Sequence, residues 1–386
     1  MSQYRDRTNQ RRMTAILGIV LVVAMGASLI LPLIQSQVTQ SQNTVQPTEM
    51  PTATVPAPID VSSIQFDQSY IHPSGVFTAT IPSDWVPGQG VTNSTEAVVT
   101  LRNSAALSLA ELRVIQPPDG AADLDAVSAY LDDAWLNSSW REYTSWDEAT
   151  RTTRDDELVM DFNVASGGQQ YIARQLASTD GERIYVARAV FPSNAPEQVR
   201  YLVENLKADL HFNEEFANTP ISWSSYYDST TGHIIRYPQT WVLTDAAPGA
   251  PASIESESGA ILRVESSEAA VTSEDEATSY VEQAYPGAEV ASVAPVERDG
   301  VSGYAVAYSV PTLDGPAESG YVVLLSEDSG TLHVANLTID SPDVDLNAEE
   351  AATEYPELTE VMGTFTLLPA GIGEAGSASE AEVATE

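Results

Sequence analysis

The 386-residue chain sets 17 basic residues against 55 acidic ones, a net charge of −38, and contains no cysteine. Nucleic acid is excluded as a partner, because phosphate binding needs clustered Lys and Arg and the only lysine is Lys207. Disulfides, thiolate metal centres and cysteine nucleophiles are excluded too, so hydrophobic cores alone must hold any fold.

Residues 1–12 carry Arg5, Arg7, Arg11 and Arg12 against the single acid Asp6. An uncharged apolar run from Ala15 to Ile34 follows, and about 20 such residues cross a bilayer as a helix. The spacing predicts a transmembrane helix over 13–34. By the positive-inside rule residues 1–12 face the cytoplasm and the rest is extracytoplasmic, a single-pass protein of the cell membrane. Ala24-Met25-Gly26 offers the alternative of a cleaved signal, but the apolar run continues past it, which favours a retained anchor.

Residues 35–62 are mainly Gln, Thr, Ser, Pro and Val with hardly any aromatic or charged residue, a composition too poor in apolar bulk to offset its ordering entropy, and are read as a semi-rigid linker. At the other end, residues 370–386 are mostly Gly, Ala, Ser and Glu without a basic residue and are read as a disordered acidic tail.

Between them the chain is duplicated. Pro82-Ser-Asp-Trp85-Val86 returns as Pro238-Gln-Thr-Trp241-Val242. Leu158, Met160, Phe162 and Val164 alternate along a predicted strand, as do Tyr304, Val306, Tyr308 and Val310. Leu124, Val127, Leu131, Ala134 and Trp135 form a helical stripe, matched by Ala277, Val281, Ala284 and Tyr285. Hairpins are predicted at Tyr171–Ala177 with Arg183–Phe191 and at Tyr321–Leu325 with Thr331–Ile339, turning at Asp180-Gly181 and Ser329-Gly330. A closing helix is marked by Val199, Leu202, Val203 and Leu206; its counterpart is interrupted by Pro356. The order predicts an α+β class with two tandem domains, residues 63–215 and 221–369, each with helices on a mainly antiparallel sheet.

The opening element of each copy, Gly75-Val-Phe77-Thr-Ala-Thr-Ile81-Pro82-Ser-Asp-Trp85 and Gly232-His-Ile-Ile-Arg-Tyr237-Pro238-Gln-Thr-Trp241, resembles the glycine, apolar strand and Pro-x-x-Trp signature of the PsbP-like superfamily. The resemblance implies an α/β/α sandwich that binds a protein or small ligand and performs no catalysis. It carries over no ligand residue, because the motif is one of packing: the strand ends before proline and the tryptophan covers the sheet.

Candidate chemistry is sparse. His72, His211, His233 and His333 show no metal-ligand spacing, and no H-E-x-x-H, G-x-S-x-G or S-x-x-K motif or phosphate loop occurs. Asp343, Asp345, Asn347, Glu349 and Glu354 match oxygen-ligand positions of an EF-hand, but Ala348 stands where the loop needs glycine. A helix cap at Asp345 or Asn347 is the preferred reading over calcium, and no cofactor is expected. Trp135, Trp140, Tyr143 and Trp146 concentrate aromatic rings in the first copy, either as an exposed stacking surface or as core. The expectation is a non-enzymatic, membrane-tethered protein that binds or scaffolds a protein partner. The alternative is an exported module for a small ligand or polysaccharide.

Overall fold

The computed structural model describes residues 56–311, 318–342 and 344–372. The expected span at 13–34, most of the linker and the tail beyond Ile372 lie outside the described residues. Among the described residues no helix is long and apolar enough to cross a membrane.

The first half runs β1 (Phe66–Ile71), β2 (Phe77–Pro82), β3 (Val86–Pro87), β4 (Val91–Thr92), β5 (Glu96–Asn103), β6 (Ser108–Ile115), α1 (Leu124–Tyr130), α2 (Asp133–Ser139), β7 (Ser145–Arg154), β8 (Glu157–Ser166), β9 (Gln169–Thr179), β10 (Ile184–Pro192), α3 (Pro196–Ala208) and β11 (His211–Phe212). The second runs β12 (Ser224–Tyr227), β13 (His233–Tyr237), β14 (Val242–Asp245), β15 (Ala252–Glu255), β16 (Ile261–Glu268), α4 (Glu274–Ala284), β17 (Glu289–Arg298), β18 (Val301–Val310), β19 (Glu318–Ser326), β20 (Thr331–Ile339), α5 (Ala351–Glu354), α6 (Pro356–Gly363) and β21 (Thr366–Leu367).

Both halves are sheet-rich, and the described strands pair antiparallel throughout. The large sheets share one order, β3-β5-β6-β10-β9-β8-β7 and β14-β15-β16-β20-β19-β18-β17, with β4 added beside β5 in the first. Each half also has a small sheet, β1-β2-β11 and β12-β13-β21. Alternation sends successive residues of each large sheet into two cores. In the first half, Leu112, Leu176 and Ala187 pack with the small sheet and with Val199, Leu202 and Leu206 of α3. Their neighbours Ala177, Val186 and Met160 pack under Val127, Leu136 and Trp140 of the α1–α2 side. The second half repeats this with α5–α6 on one face and α4 on the other.

The repeated Pro-x-x-Trp closes the same turn twice. The amide of Trp85 donates to Pro82 O at 3.0 Å, that of Trp241 to Pro238 O at 3.0 Å, and both indoles are buried. The predicted helix over 124–135 is in fact two, because Asp132 accepts from the Trp135 amide and caps a second helix. Proline at 356 splits the last helix into α5 and α6 and starts the latter, where its missing N–H costs nothing. Part of the expected linker is held: Asn194 Nδ2 donates to Pro56 O at 3.2 Å and Gln198 Nε2 to Ile59 O at 2.6 Å.

The halves meet at Arg236 on β13. Its side chain is fully buried, donating Nε to Ser74 O at 2.6 Å, one terminal nitrogen to Thr219 Oγ1 and the other to Pro220 O at 2.7 Å. Burial without a carboxylate pulls its pKa down to about 9. Gly75, at φ 75°, lets the β1–β2 turn approach the second half: a Cβ there would lie 3.0 Å from the Ile234 side chain.

Candidate functional site

One face of β5 and β6 is not covered by core. Alternation points Ala97, Val99, Leu101, Leu112 and Val114 inward, so Glu96, Thr100, Arg102, Glu111 and Arg113 face the other way. With Tyr130, Trp135, Ser138, Ser139, Arg141 and Tyr143 from the α1–α2 segment they line a cleft of about 640 Å³.

Its floor is a chain of charges. Arg113 reaches Glu96 at 2.5 Å and Glu111 at 2.8 Å; Arg188, from β10, donates to the other Glu111 oxygen at 3.0 Å and to Ser139 Oγ at 2.6 Å. The Arg188 guanidinium lies 4.1 Å from the Trp140 ring centroid, and that of Arg113 lies 5.3 Å from Trp135. Burial alone would raise the Glu111 pKa, but the two guanidinium groups outweigh it and hold the carboxylate below its usual range. Glu111 is therefore locked as an ionised acceptor, a poor general acid or base at neutral pH. The side chains of Arg102 and Arg141, by contrast, line the cleft without any ion pair or hydrogen bond. Such an arrangement suits recognition.

The four aromatic residues singled out in sequence do not share one surface. Trp135 and Tyr143 line the cleft, whereas Trp140 is 0 % exposed beneath Arg188, edge-on to Tyr143 at 5.3 Å and tilted on Phe162 at 5.0 Å. Trp146, on β7, packs edge-on to Phe162 at 6.1 Å outside the cleft. Trp140 is therefore core, as the packing reading expects, and the stacking-surface alternative is cut back to the half-open pair Trp135 and Tyr143. The arginines and Glu111 were missed by sequence reasoning. Their signal was a charge at alternate positions of otherwise apolar strands, Glu111 and Arg113 among Leu112 and Val114, and Arg188 between Ala187 and Ala189.

The second half does not repeat the chemistry. On the ladder rung that holds Glu111–Arg188–Gln175 in the first half it carries Arg263–Asn336–Val322. Asn336 accepts from Tyr308 OH at 2.8 Å, and Tyr285 stacks on Tyr308 at 4.9 Å.

Of the EF-hand-like set, Asp343 lies outside the described residues. Asp345 accepts from Ser292 Oγ at 2.9 Å and from the Asn347 amide at 2.8 Å. Asn347 Nδ2 donates to Ser292 Oγ and Ala305 O, while Glu349 and Glu354 are exposed. The preferred helix-cap reading is corrected: α5 begins only at Ala351, and Asp345 caps a turn ahead of it. No cluster of three His, Asp or Glu side chains at metal-binding spacing occurs among the described residues.

Three of the four histidines are buried. His72 Nδ1 accepts from the Ser74 amide at 3.1 Å, and its Nε2 lies 3.2 Å from Val98 O, which fixes the Nε2–H tautomer. His233 and His333, 100 positions apart in sequence, share Ser266 Oγ at 3.0 and 2.9 Å. Burial, reinforced for each by a nearby positive or imidazole group, pushes His72 and His233 down to about 4. His211 is exposed on β11.

No protein-family model and no curated protein matches the chain. Among solved structures it is similar to cyanobacterial PsbP from Synechocystis, with 19% identity over 38% of this chain and 93% of that one, TM-score 0.29. It is also similar to the Ran-binding protein Mog1p of Saccharomyces cerevisiae, with 12% identity over 39% and 96%, TM-score 0.29. The T6SS immunity protein TplEi of Pseudomonas aeruginosa gives 10% identity over 78% and 97%, TM-score 0.24. Likeness at this level assigns no function.

Proposed function

We propose that the chain is a non-enzymatic binding protein, tethered to the membrane through residues 13–34, whose recognition surface is the cleft of the first half. The observation that carries this reading is the pairing of a locked charge network, Glu96–Arg113–Glu111–Arg188, with two unpaired arginines and half-open aromatic rings in one cleft. The sequence of residues 1–34 supports an extracytoplasmic placement. The second half, with this rung rebuilt from Asn336, Tyr308 and Tyr285, serves as a platform joined through Arg236.

The test is amide hydrogen exchange on the full chain in detergent, with and without extracytoplasmic extract of its source cells. Protection centred on β5, β6 and α2, and lost in Trp135→Ala, is the expected result. Protection elsewhere, unaffected by Trp135→Ala, would refute the cleft as the binding surface. A protein docking along the rim, apart from what the cleft itself admits, is favoured by the exposed valines of β3 and β4, Val86 at 69 % and Val91 at 61 % exposure. Protection extending over β3 and β4 is the result that reading expects.

A further inference from the structure

We infer that the cleft of the first half takes a carboxylated saccharide, a ligand of one or two sugar-acid rings. This rests on the cleft being the binding surface and adds the chemistry of what enters it.

Size comes first. At about 640 Å³ the cleft falls within the range of small-ligand sites and is too small for a folded partner to enter. Its lining is mostly polar: Asn93, Thr95, Thr100 and Ser138 supply hydroxyl and amide groups on the walls. Asn93 and Thr95 already bond each other, but the hydroxyls of Thr100 and Ser138 have no partner among the described residues, so a ligand hydroxylated on its edges can pair with them whereas an apolar one would strand them. Trp135 and Tyr130 add aromatic surface on the α1–α2 side, suited to the C–H face of a sugar ring.

Charge then selects among hydroxylated ligands. The three lining acids are Glu96, Glu111 and Glu142, and the four lining bases are Arg102, Arg113, Arg141 and Arg188. Glu96 and Glu111 are consumed by Arg113 and Arg188, which leaves the side chains of Arg102, Arg141 and Glu142 unpaired, one basic charge in excess. Free guanidinium groups pair bidentately with carboxylate. The whole chain is at −38, so a polyanion is repelled at a distance and only a sparsely charged ligand gains from two arginines. The site is also built in advance: Arg188 is 3 % exposed and its Nε has no hydrogen-bond partner. Ser139 and Trp140 fix its plane, so little ordering remains to be done on binding.

The test is calorimetric titration of the full chain with digalacturonate, its dimethyl ester and neutral digalactose. Digalacturonate is expected to bind with a dissociation constant below about 1 mM. Esterification, or the Arg102→Gln/Arg141→Gln double variant, should weaken it about tenfold. Both arginines are exposed, so the variant is expected to keep the wild-type melting temperature, and that is checked first. Equal binding of the ester overturns the carboxylate, and binding unchanged in the double variant overturns the site. No heat from any of the three sugars overturns the saccharide class. If the cleft is nevertheless protected by cell extract in hydrogen exchange, it remains the binding surface and only the ligand assignment fails.

Discussion

Glu111 holds two guanidinium groups on one buried carboxylate, so its neutralisation is felt twice. Glu111→Gln leaves Arg188 buried with no counter-charge, and breaking such a pair from one side costs about 3 kcal/mol, read as a lowered urea midpoint. A loss below about 1 kcal/mol would place the pair in the class of solvated ion pairs. The histidines give a second residue-level outcome. His72 and His233 stay neutral in the fold down to about pH 4, whereas an unfolded histidine takes a proton near 6.5. Their contribution is therefore complete above about pH 6.5 and is lost as the pH falls from there toward 4, at up to about 1.4 kcal/mol per pH unit for each. Arg236 beside His72 and Asp228 beside His233 modulate this in opposite senses. A His72→Gln/His233→Asn variant should show a flatter stability profile between pH 6.5 and 4.5; a slope equal to wild type would mean the carboxylates alone set it. At this scale the sequence was only half legible. The aromatic cluster stood out by composition, but Glu111 was hidden among 55 acids and only its pairing singles it out.

Elements were more legible than residues, because periodicity averages over many positions. The alternation of Leu158 to Val164 and of Tyr304 to Val310 placed β8 and β18, and Asp180-Gly181 and Ser329-Gly330 fall in the turns after β9 and β19. Two-residue strands such as β3, β4, β11 and β21 have no period to detect and follow only from pairing with longer neighbours. The break between α1 and α2 was readable in principle. Asp132 is an N-cap residue, but the apolar stripe running on to Trp135 masked it. Asp132→Ala should cost about 1 kcal/mol and loosen the α2 side of the cleft, seen as faster amide exchange at Trp135 and Leu136. Unchanged exchange there would show that α2 is held by Leu136 and Trp140 packing alone.

On the scale of the whole molecule, the duplication predicted two similar sheet-rich halves but could not predict their joint. Arg236 occupies the place that Thr80 holds in the first copy, and nothing in a repeat marks the one position where copies must differ. Arg236→Met strands Ser74 O and Pro220 O. It is expected to cost about 2–3 kcal/mol and to split one calorimetric transition into two. A single, unshifted transition would show that the halves are coupled elsewhere.

The sheets themselves also set an order of events. Every described strand finds its partner inside its own half, the first closing at His211–Phe212 before Ser224 begins the second. A chain lengthening from its N-terminus can therefore complete the sheets of one half while the other is still being made. The Ser74 carbonyl has no guanidinium partner until Arg236 is made, so the joint cannot form before the second half has begun.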